Sequence, residues 1–218
     1  MKTGRLIDIE GPDTAGKSTV IEKLKSALPI IYPRETFVFT REPGNTLNGA
    51  YNRSELIREQ LLTDSSLTAK EQAKLFAESR YYHTIDIIKL LKEGHNVITD
   101  RYLLSSVIYQ GLDLGFNEVA DVNNEVLKLL KENNIEINNI VLQITPETYK
   151  RRMATKEKDA MEDVDERKVL DRIMYYNLVR SLNEEVNINL GNMHTVNANA
   201  SQEDVIIETL NHIHNIIR

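Results

Sequence analysis

The sequence predicts an α/β fold in which a five-stranded parallel sheet is flanked by helices on both faces. Five short apolar segments alternate with longer segments whose apolar residues recur at helical spacing. Such alternation is typical of parallel strands joined by helical crossovers. The chain shows no internal repeat, low-complexity tract or long linker, so we expect residues 1–218 to form a single domain.

The predicted elements follow the chain in order. The strands are Leu6–Glu10, Phe37–Thr40, Asn96–Thr99, Ile140–Ile144 and His194–Val196. The helices span residues 17–28, 54–62, 68–93, 118–133, 146–154, 165–186 and 202–217. Thr68 and Glu71 can form a capping box at the start of the long third helix, and Gly94 is a suitable stop after its end. Asp8 is unusual, because it lies inside a strand that a parallel sheet should bury.

Composition narrows the class of protein. Hydrophobic residues make up 41% of the 218 residues, which is enough for a core. The net charge of −6 argues against a general surface for nucleic acid or an anionic membrane. The absence of cysteine excludes disulfides and thiolate chemistry. No apolar run approaches the length of a membrane span and the N-terminus has no signal-like apolar core, so we expect a cytoplasmic protein.

The segment from Gly11 to Thr19 fits the phosphate-binding pattern G-x-x-x-x-G-K-[ST]. Gly11 and Gly16 allow the sharp turn that aims successive backbone N–H groups at phosphate oxygens. A helix beginning near Lys17 would add the positive end of its dipole, and the lysine itself a mobile charge. The Ser18 hydroxyl suits Mg²⁺. Because an apolar strand precedes the loop and a helical pattern follows it, the fold is predicted to be of the P-loop NTPase type.

Polar residues follow two other predicted strands. Thr40-Arg41-Glu42-Pro43-Gly44 ends the second strand, and Asp100-Arg101 ends the third. Ligands of open α/β sheets bind outside the carboxyl ends of the strands. We therefore expect these two segments and the glycine loop to converge on one cleft.

The long third helix carries a stripe of polar and aromatic residues. Gln72, Phe76, Arg80 and His83 share one helical face. A flat ring one turn from a guanidinium could hold a base together with its phosphate. The alternative is that Phe76 is a core residue and that Arg80 makes a surface ion pair.

Residues 150–172 are dense in charge and poor in apolar side chains. Such a composition predicts a solvated, mobile flap. We expect it to act as a lid, over about residues 152–165, that excludes water from a phosphoryl-transfer site.

Taken together, these segments resemble the thymidylate kinase family of P-loop nucleoside monophosphate kinases, over nearly the whole chain. The opening strand and glycine loop are similar to those of the family, and Thr40–Gly44 resembles its bacterial second-strand motif. The matching segments that follow are Leu75-Phe76-Ala77-Glu78-Ser79-Arg80, Asp100-Arg101-Tyr102 with Ser105-Ser106 and Tyr109-Gln110-Gly111, and Thr145-Pro146-Glu147 with Arg151-Arg152. The order and the separations of these matches make the resemblance specific.

The resemblance implies roles for individual residues. Lys17, Arg101 and Asp13 would be catalytic, with Asp13 holding the acceptor sugar's 3′-hydroxyl and Arg101 bridging the two phosphates. Phe76 would stack on thymine and Arg80 would hydrogen-bond its edge. The donor ATP would be held by Gly11, Pro12, Asp13, Thr14, Ala15, Gly16, Lys17, Ser18 and Thr19, with Arg152 and Asn197-Ala198 flanking its adenine. The acceptor dTMP would also meet Arg41 and Arg58 at its phosphate, and Tyr102, Ser105, Ser106, Tyr109 and Gln110 around its base and sugar.

The resemblance further implies Mg²⁺ at Ser18, with Asp100 acting through water, and a homodimer as the assembly. Tyr109 would crowd the 2′ position and favour deoxyribose.

The chain also departs from the family pattern, which places an arginine in the loop or in the lid. Thr14 and Ala160 stand at those positions, and only Lys156 and Lys158 lie near the second. Residues 48–54 resemble an insertion, and Asn45 replaces an expected glycine.

The function expected from this reading is transfer of the γ-phosphoryl group of ATP to dTMP, giving dTDP for dTTP synthesis. One alternative is a deoxynucleoside monophosphate kinase of different or broader specificity, which the altered lid and the insertion would fit. An alternative of another class is a nucleotide-binding switch or module without transfer activity. Against the latter, the chain has no N-K-x-D guanine signature.

Overall fold

The computed structural model describes residues 3–44, 53–154, 165–185 and 188–218. The expectations for Asn45, for residues 48–52 of the insertion and for residues 155–164 of the lid, Lys156, Lys158 and Ala160 included, lie outside the described residues. The strands are β1 (Leu6–Glu10), β2 (Phe37–Arg41), β3 (Asn96–Asp100), β4 (Ile137–Gln143) and β5 (Asn192–Asn197).

These strands form one parallel sheet in the order β2-β3-β1-β4-β5, so the prediction of a five-stranded parallel sheet is confirmed. Strand β4 begins earlier than predicted, at Ile137. The hydrophobic pattern does not show this start, because Asn138 and Asn139 are polar residues at positions that the sheet buries. Their amide groups are satisfied there: the Nδ2 of Asn138 donates to the carbonyl of Leu6 and the Nδ2 of Asn139 to that of Leu190.

The helices lie between the strands and after the last of them. They are α1 (Lys17–Ile31), α2 (Arg53–Thr63), α3 (Ala69–Lys92), α4 (Leu103–Tyr109), α5 (Gly111–Leu114), α6 (Phe116–Val122), α7 (Asn124–Glu132), α8 (Pro146–Met153), α9 (Glu166–Asn177), α10 (Val179–Glu185) and α11 (Gln202–Ile217). The capping box at the start of α3 is present, with the Thr68 side chain and Glu71 bonded reciprocally. The predicted helix 118–133 is divided between α6 and α7, and 165–186 between α9 and α10.

Each face of the sheet carries a hydrophobic cluster. On one face Ile7 and Ile9 of β1 pack with apolar residues of α1 and α11. On the other face Leu6 packs with residues of α3, α4, α7 and α9. The period of two along β1 therefore sends alternate side chains to two different helix layers. None of the helices in the described part of the chain is long and apolar enough to cross a membrane.

Asp8 lies on the face of β1 that also carries Leu6 and Glu10, and its side chain is completely buried. Neither carboxyl oxygen has a hydrogen-bond donor among the described residues. Burial, and then the charge of Glu10, raise the pKa of Asp8 well above its usual value. Burial therefore favours the neutral form of this carboxyl group, whose charge would be costly to bury in the sheet.

Candidate active site

A cleft of about 1210 Å³ opens at the carboxyl ends of β1, β2 and β3. It brings together the three segments that the sequence predicted to converge there. Its lining runs from Asp13 to Val20 on the glycine loop, through Arg41, Glu42 and Pro43 after β2, to Asp100, Arg101 and Tyr102 after β3. The helices contribute Gln72, Phe76, Arg80, Ser105, Ser106, Tyr109, Gln110, Arg152 and Arg172, among others.

The glycine loop closes directly onto helix α1. Gly11 and Gly16 have φ angles of 147° and 99°, and Thr14 adopts a left-handed φ of 63° that a β-branched residue rarely takes. The Lys17 ammonium donates to the carbonyl oxygens of Gly11 and Pro12, at 2.9 and 3.1 Å. Burial, and then the charge of Arg101, lower the pKa of Lys17 to about 8. The lysine is thus buried, with two backbone carbonyls as hydrogen-bond acceptors and with the charges of Asp13, Asp100 and Glu10 favouring its ammonium form.

Arg101 links the loop to the end of β3. Its Nη2 lies 2.6 Å from Oδ1 of Asp13, and its Nη1 donates to the carbonyl of Gly11 at 3.3 Å. The residue has a φ of 69°, in the left-handed region that costs a non-glycine residue about 1 kcal/mol or more. Burial by itself raises the pKa of Asp13, but Arg101 and Lys17 outweigh it, so this pKa lies below its usual value. Asp13 is therefore an anion held between two cations.

A network behind Arg101 was not predicted from the sequence. Glu10 accepts hydrogen bonds from the backbone N–H groups of Tyr102 and Ser105, at 3.0 and 2.9 Å. Its other oxygen accepts from the Ser105 and Tyr176 hydroxyls, at 2.8 and 2.9 Å. The Tyr176 hydroxyl also accepts from Nη1 of Arg101, at 3.3 Å. Helix α9 therefore helps to fix the arginine, through contacts between residues far apart in the sequence.

Helix α3 forms the opposite wall. Phe76 is partly buried, lines the cleft and belongs to neither hydrophobic cluster of the described residues. Arg80 does make an ion pair, but the expectation of a surface pair is wrong, because its side chain is 2% exposed and lies 2.8 Å from Glu42. The remaining contacts of its guanidinium are the Asn123 amide oxygen at 2.6 Å, the Ser106 hydroxyl at 2.8 Å and the Tyr102 carbonyl at 3.3 Å.

Helix α4 supplies the floor beside that wall. The Tyr109 hydroxyl donates to Oδ2 of Asp13 at 3.1 Å, and Ser106 and Gln110 line the same part of the cleft. The ring of Tyr102 is completely buried and its hydroxyl is hydrogen-bonded to the hydroxyl of Thr84. The backbone carbonyl of Tyr102 accepts a hydrogen bond from Arg80, so this residue contributes to the site by fixing that guanidinium. The hydrophobic pattern alone had not predicted α4, because its buried residues come in a short run without a full helical period.

The loop is braced on the other side by Arg152 of α8. Its guanidinium donates to the carbonyls of Thr14, Ala15 and Ala198, at 2.9, 3.2 and 2.8 Å. Ala198 lines the cleft, whereas Asn197 is exposed and its amide oxygen bonds to Asn199. The geometry therefore brings Arg152 to the glycine loop, and it gives Asn197 a role in shaping the turn.

Two further cations lie near the end of β2. Arg41 is exposed and Arg58 is partly buried, and the Nη1 of Arg58 donates to the carbonyl of Pro43 at 2.7 Å. The peptide between Glu42 and Pro43 is cis. Gly44, with a φ of 65°, brings the chain so close that a Cβ there would meet Arg58 at 3.1 Å. The turn after β2 and helix α2 are thus packed together at the mouth of the cleft.

The donors predicted for Mg²⁺ suit that ion. Ser18 is exposed at the first turn of α1, and Asp100 lines the same cleft with its Oδ1 buried and without a donor among the described residues. Hydroxyl and carboxylate oxygens are the ligands that Mg²⁺ prefers, and it keeps several waters in such sites. Within the described ranges, no group of three or more His, Cys, Asp or Glu side chains forms another metal site.

Comparison with known proteins agrees with this geometry. The family model described as thymidylate kinase matches residues 9–208. The thymidylate kinase of Mycoplasma mobile is 44% identical over 122 residues, 54% of this chain and 57% of that protein. The thymidylate kinase of Oenococcus oeni is 32% identical over 185 residues, 83% of this chain and 80% of that protein. The chain thus spans less than two thirds of the Mycoplasma mobile protein.

The fold comparison gives the same architecture. The crystal structure of thymidylate kinase from Ehrlichia chaffeensis superposes with a TM-score of 0.65, covering 97% of this chain and 99% of that one at 23% sequence identity. That identity is low, so this comparison bears on the fold alone. The match of the family model over nearly the whole chain shows more: the chain belongs to the thymidylate kinase family.

Proposed function

We propose that this chain is a single nucleoside monophosphate kinase domain that transfers the γ-phosphoryl group of ATP to dTMP, giving ADP and dTDP. The observation that carries the proposal is that the glycine loop and the Phe76–Arg80 face of α3 line one cleft, and that Arg101 lines it too and pairs with Asp13 of the loop. A loop with the phosphate-binding pattern and a helical face with an aromatic ring therefore share one cleft, which supports binding of two nucleotides there. The choice of dTMP as the acceptor comes from the name of the family and of its relatives, thymidylate kinase.

In the proposed reaction an oxygen of the dTMP phosphate attacks the γ-phosphorus of ATP. The new bond forms there as the bond from the γ-phosphorus to the β,γ-bridging oxygen breaks, and ADP leaves with that electron pair. Little covalent chemistry is left to the protein, so positioning and charge stabilisation make most of the difference. Mg²⁺, held at Ser18 and through water at Asp100, would neutralise charge on the donor phosphates.

The chain's own residues divide this work. Lys17 would exchange its bonds to the Gly11 and Pro12 carbonyls for donor phosphate oxygens. Arg101 would lie between the two nucleotides, since it already joins the loop through Asp13. Asp13, kept anionic, would accept a hydrogen bond from the acceptor's 3′-hydroxyl. The backbone N–H groups of the loop would surround the β-phosphate.

The acceptor base would stack on Phe76 and meet Arg80 at its edge. Among the described residues, four of the five N–H groups of Arg80 are occupied by Glu42, Asn123, Ser106 and Tyr102, so the guanidinium has one N–H left to offer to a base. Recognition of the base by so few hydrogen-bond donors favours the second candidate, a kinase that accepts a broader range of deoxynucleoside monophosphates. Discrimination that rests on fit alone is worth about 1–3 kcal/mol.

A substrate panel tests both candidates. The purified protein is supplied with Mg-ATP and with dTMP, dUMP, dGMP or dCMP in turn, and ADP release is followed. We expect the fastest turnover with dTMP. Turnover with another monophosphate and none with dTMP would reject the substrate assignment. Tight binding of ATP and dTMP without any product over hours would favour the nucleotide-binding module instead.

The proposal includes a homodimer, as the resemblance to the family implies. Exposed apolar side chains on α2 and α3 support it, among them Leu56, Tyr82 and Ile85, which are 45%, 39% and 43% exposed. Burial of such side chains between two copies would be favourable. Light scattering on the purified protein measures the mass: we expect twice the 25.0 kDa of one chain.

A further inference from the structure

Arg172 of α9 lines the same cleft. Its Cζ lies 4.3 Å from the centroid of the Tyr109 ring, in the range of a cation–π contact, and its side chain lines the cleft. Arg101 lies 5.1 Å from the centroid of the same ring. Two guanidinium groups therefore meet one tyrosine, whose hydroxyl is bonded to Asp13.

This position is on the acceptor side of the phosphoryl junction. Tyr109 and Asp13 are the residues placed around the acceptor sugar, and Arg101 contacts both of them, so the sugar's 5′-phosphate would lie close to Arg101. Arg41 and Arg58 approach that place from the β2 side of the cleft. Arg172 comes from α9 and contacts Tyr109 in the same cleft. Its charge reinforces that of Arg101 and Lys17, which lower the pKa of Asp13 against the effect of burial.

The chemistry of the ligand calls for such a cation. A phosphate dianion taken out of water needs opposite charge and hydrogen-bond donors on several sides. A guanidinium that stacks on a ring engages its flat face, and its N–H groups point outward in the plane, where they match phosphate oxygens. Tyr109 would thus aim Arg172 as well as shape the sugar site.

We propose that Arg172 binds the 5′-phosphate of the acceptor nucleotide and holds it against Arg101 during transfer. The inference rests on the proposed function and deepens it. It adds a positive charge to the phosphoryl junction in a chain that has Thr14 in its glycine loop, which is one of the two places, loop or lid, where the family pattern has an arginine. Lys17 and Arg101 would act on the transferred group, and Arg172 on the attacking phosphate.

Comparison of dTMP with thymidine isolates the phosphate contact, because thymidine presents the same base and sugar without it. Calorimetric titration of Arg172→Gln should show dTMP binding weakened about 10- to 100-fold, with thymidine binding unchanged. The kcat/KM for dTMP should fall by at least as much, and the KM for ATP far less. Arg172→Lys, which keeps the charge but loses the fork, should lie between the two.

The matched control is Arg167→Gln, which removes the same charge from an exposed position on the same helix. It should leave both affinities within about twofold, as exposed charges usually do. An equal loss of dTMP and thymidine binding in Arg172→Gln would mean that the arginine only supports Tyr109, and would overturn the inference. So would unchanged dTMP binding.

Two further outcomes are separable. If Arg172→Gln unfolds, Arg172→Lys carries the test, since a phosphate ligand predicts weaker dTMP binding with intact thymidine binding in that variant too. If the unaltered protein binds neither ATP nor dTMP, the proposed function itself fails, and the inference fails with it.

Discussion

Arg80 and Glu42 form an ion pair in the interior of the molecule, with 2.8 Å between Nε and Oε2 and side chains that are 2% and 4% exposed. The other carboxylate oxygen of Glu42 lies 3.3 Å from Nδ1 of His83. The pair joins the end of β2 to the middle of α3 and fixes the guanidinium at the edge of the cleft. The turn after β2 and the Arg80 side chain of α3 are thus one unit in the lining of the cleft.

Glu42→Gln removes the charge of this carboxylate and leaves the Arg80 guanidinium buried without its counterion. We expect the free energy of unfolding to fall by about 3 kcal/mol, because breaking a buried pair leaves an uncompensated charge. The KM for dTMP should rise, since Arg80 loses the ion pair with Glu42 that holds its guanidinium in place. Urea denaturation and steady-state kinetics measure the two effects. Glu22→Gln breaks the exposed pair with Lys25 and should cost less than about 1 kcal/mol.

Phe76→Ala should weaken dTMP binding and leave the fold intact. The ring lines the cleft and lies outside both hydrophobic clusters, so its loss opens no core cavity. Stacking of a base on an aromatic ring is worth about 1–3 kcal/mol, which predicts a KM for dTMP about 5- to 100-fold higher. The contrasting variant is Phe116→Ala, whose ring packs on Tyr175 and on the core and should chiefly lower the melting temperature. An unfolded Phe76→Ala protein would restore the interpretation of Phe76 as a core residue.

Binding of Mg-ATP should take up a proton at alkaline pH. Burial and Arg101 lower the pKa of Lys17 to about 8, so much of the nucleotide-free protein carries a neutral amine above that pH. Phosphate oxygens favour the ammonium and raise the pKa again. Titration calorimetry in buffers of different ionisation enthalpy, at about pH 8.5 and pH 6.5, should show uptake only at the higher value.

Lys17→Ala provides the control for this measurement. It should abolish the uptake and lower kcat by about 100-fold or more, with an unchanged circular dichroism spectrum. Proton uptake that persists in the variant would assign the titration to another group. Full turnover of the variant would contradict the place given to Lys17 at the donor phosphates.

Asp8→Asn should stabilise the protein at neutral pH. The pKa of Asp8 is raised by burial and by Glu10, so above about pH 4 the unfolded chain loses this proton while the folded chain keeps it. Unfolding then releases a proton, and the stability of the unaltered protein falls as the pH rises towards the folded pKa. Asparagine does not titrate, so the variant's advantage should be near zero at about pH 4 and grow by about 1.4 kcal/mol per pH unit above it.

Chemical denaturation at several pH values measures this difference. Asp64 gives a control of opposite sign, because the hydroxyl and backbone N–H of Ser66 lower its pKa. Asp64→Asn should therefore lose stability relative to the unaltered protein as the pH rises through the acid range. A pH-independent effect of Asp8→Asn would mean that Asp8 is ionised in the folded protein.

Patterns among residues close together in the chain predicted most of the fold and the place of the cleft. The alternation of strands and helices, the glycine loop and the polar strand ends depend on residues close together in the chain, so the sequence predicts the parallel sheet and the place of the cleft. The capping box of α3 is of the same kind, since its two residues are three positions apart. Hydrophobic pattern shortened β4 and β5 and missed α4 and α5. Buried asparagines obscured the start of β4, and the buried residues of α4 form only a short run.

The tertiary structure decided which side chains meet. Glu10 with Tyr176, Arg80 with Asn123 and Arg172 with Tyr109 are contacts between different elements that no spacing along the chain encodes. They depend on how helices pack on the two faces of the sheet, because a side chain's partner is set by packing and not by its own propensity. The sequence therefore determined the fold and the glycine loop with its phosphate-binding pattern, and the packed structure determined which cations and carboxylates lie around that loop.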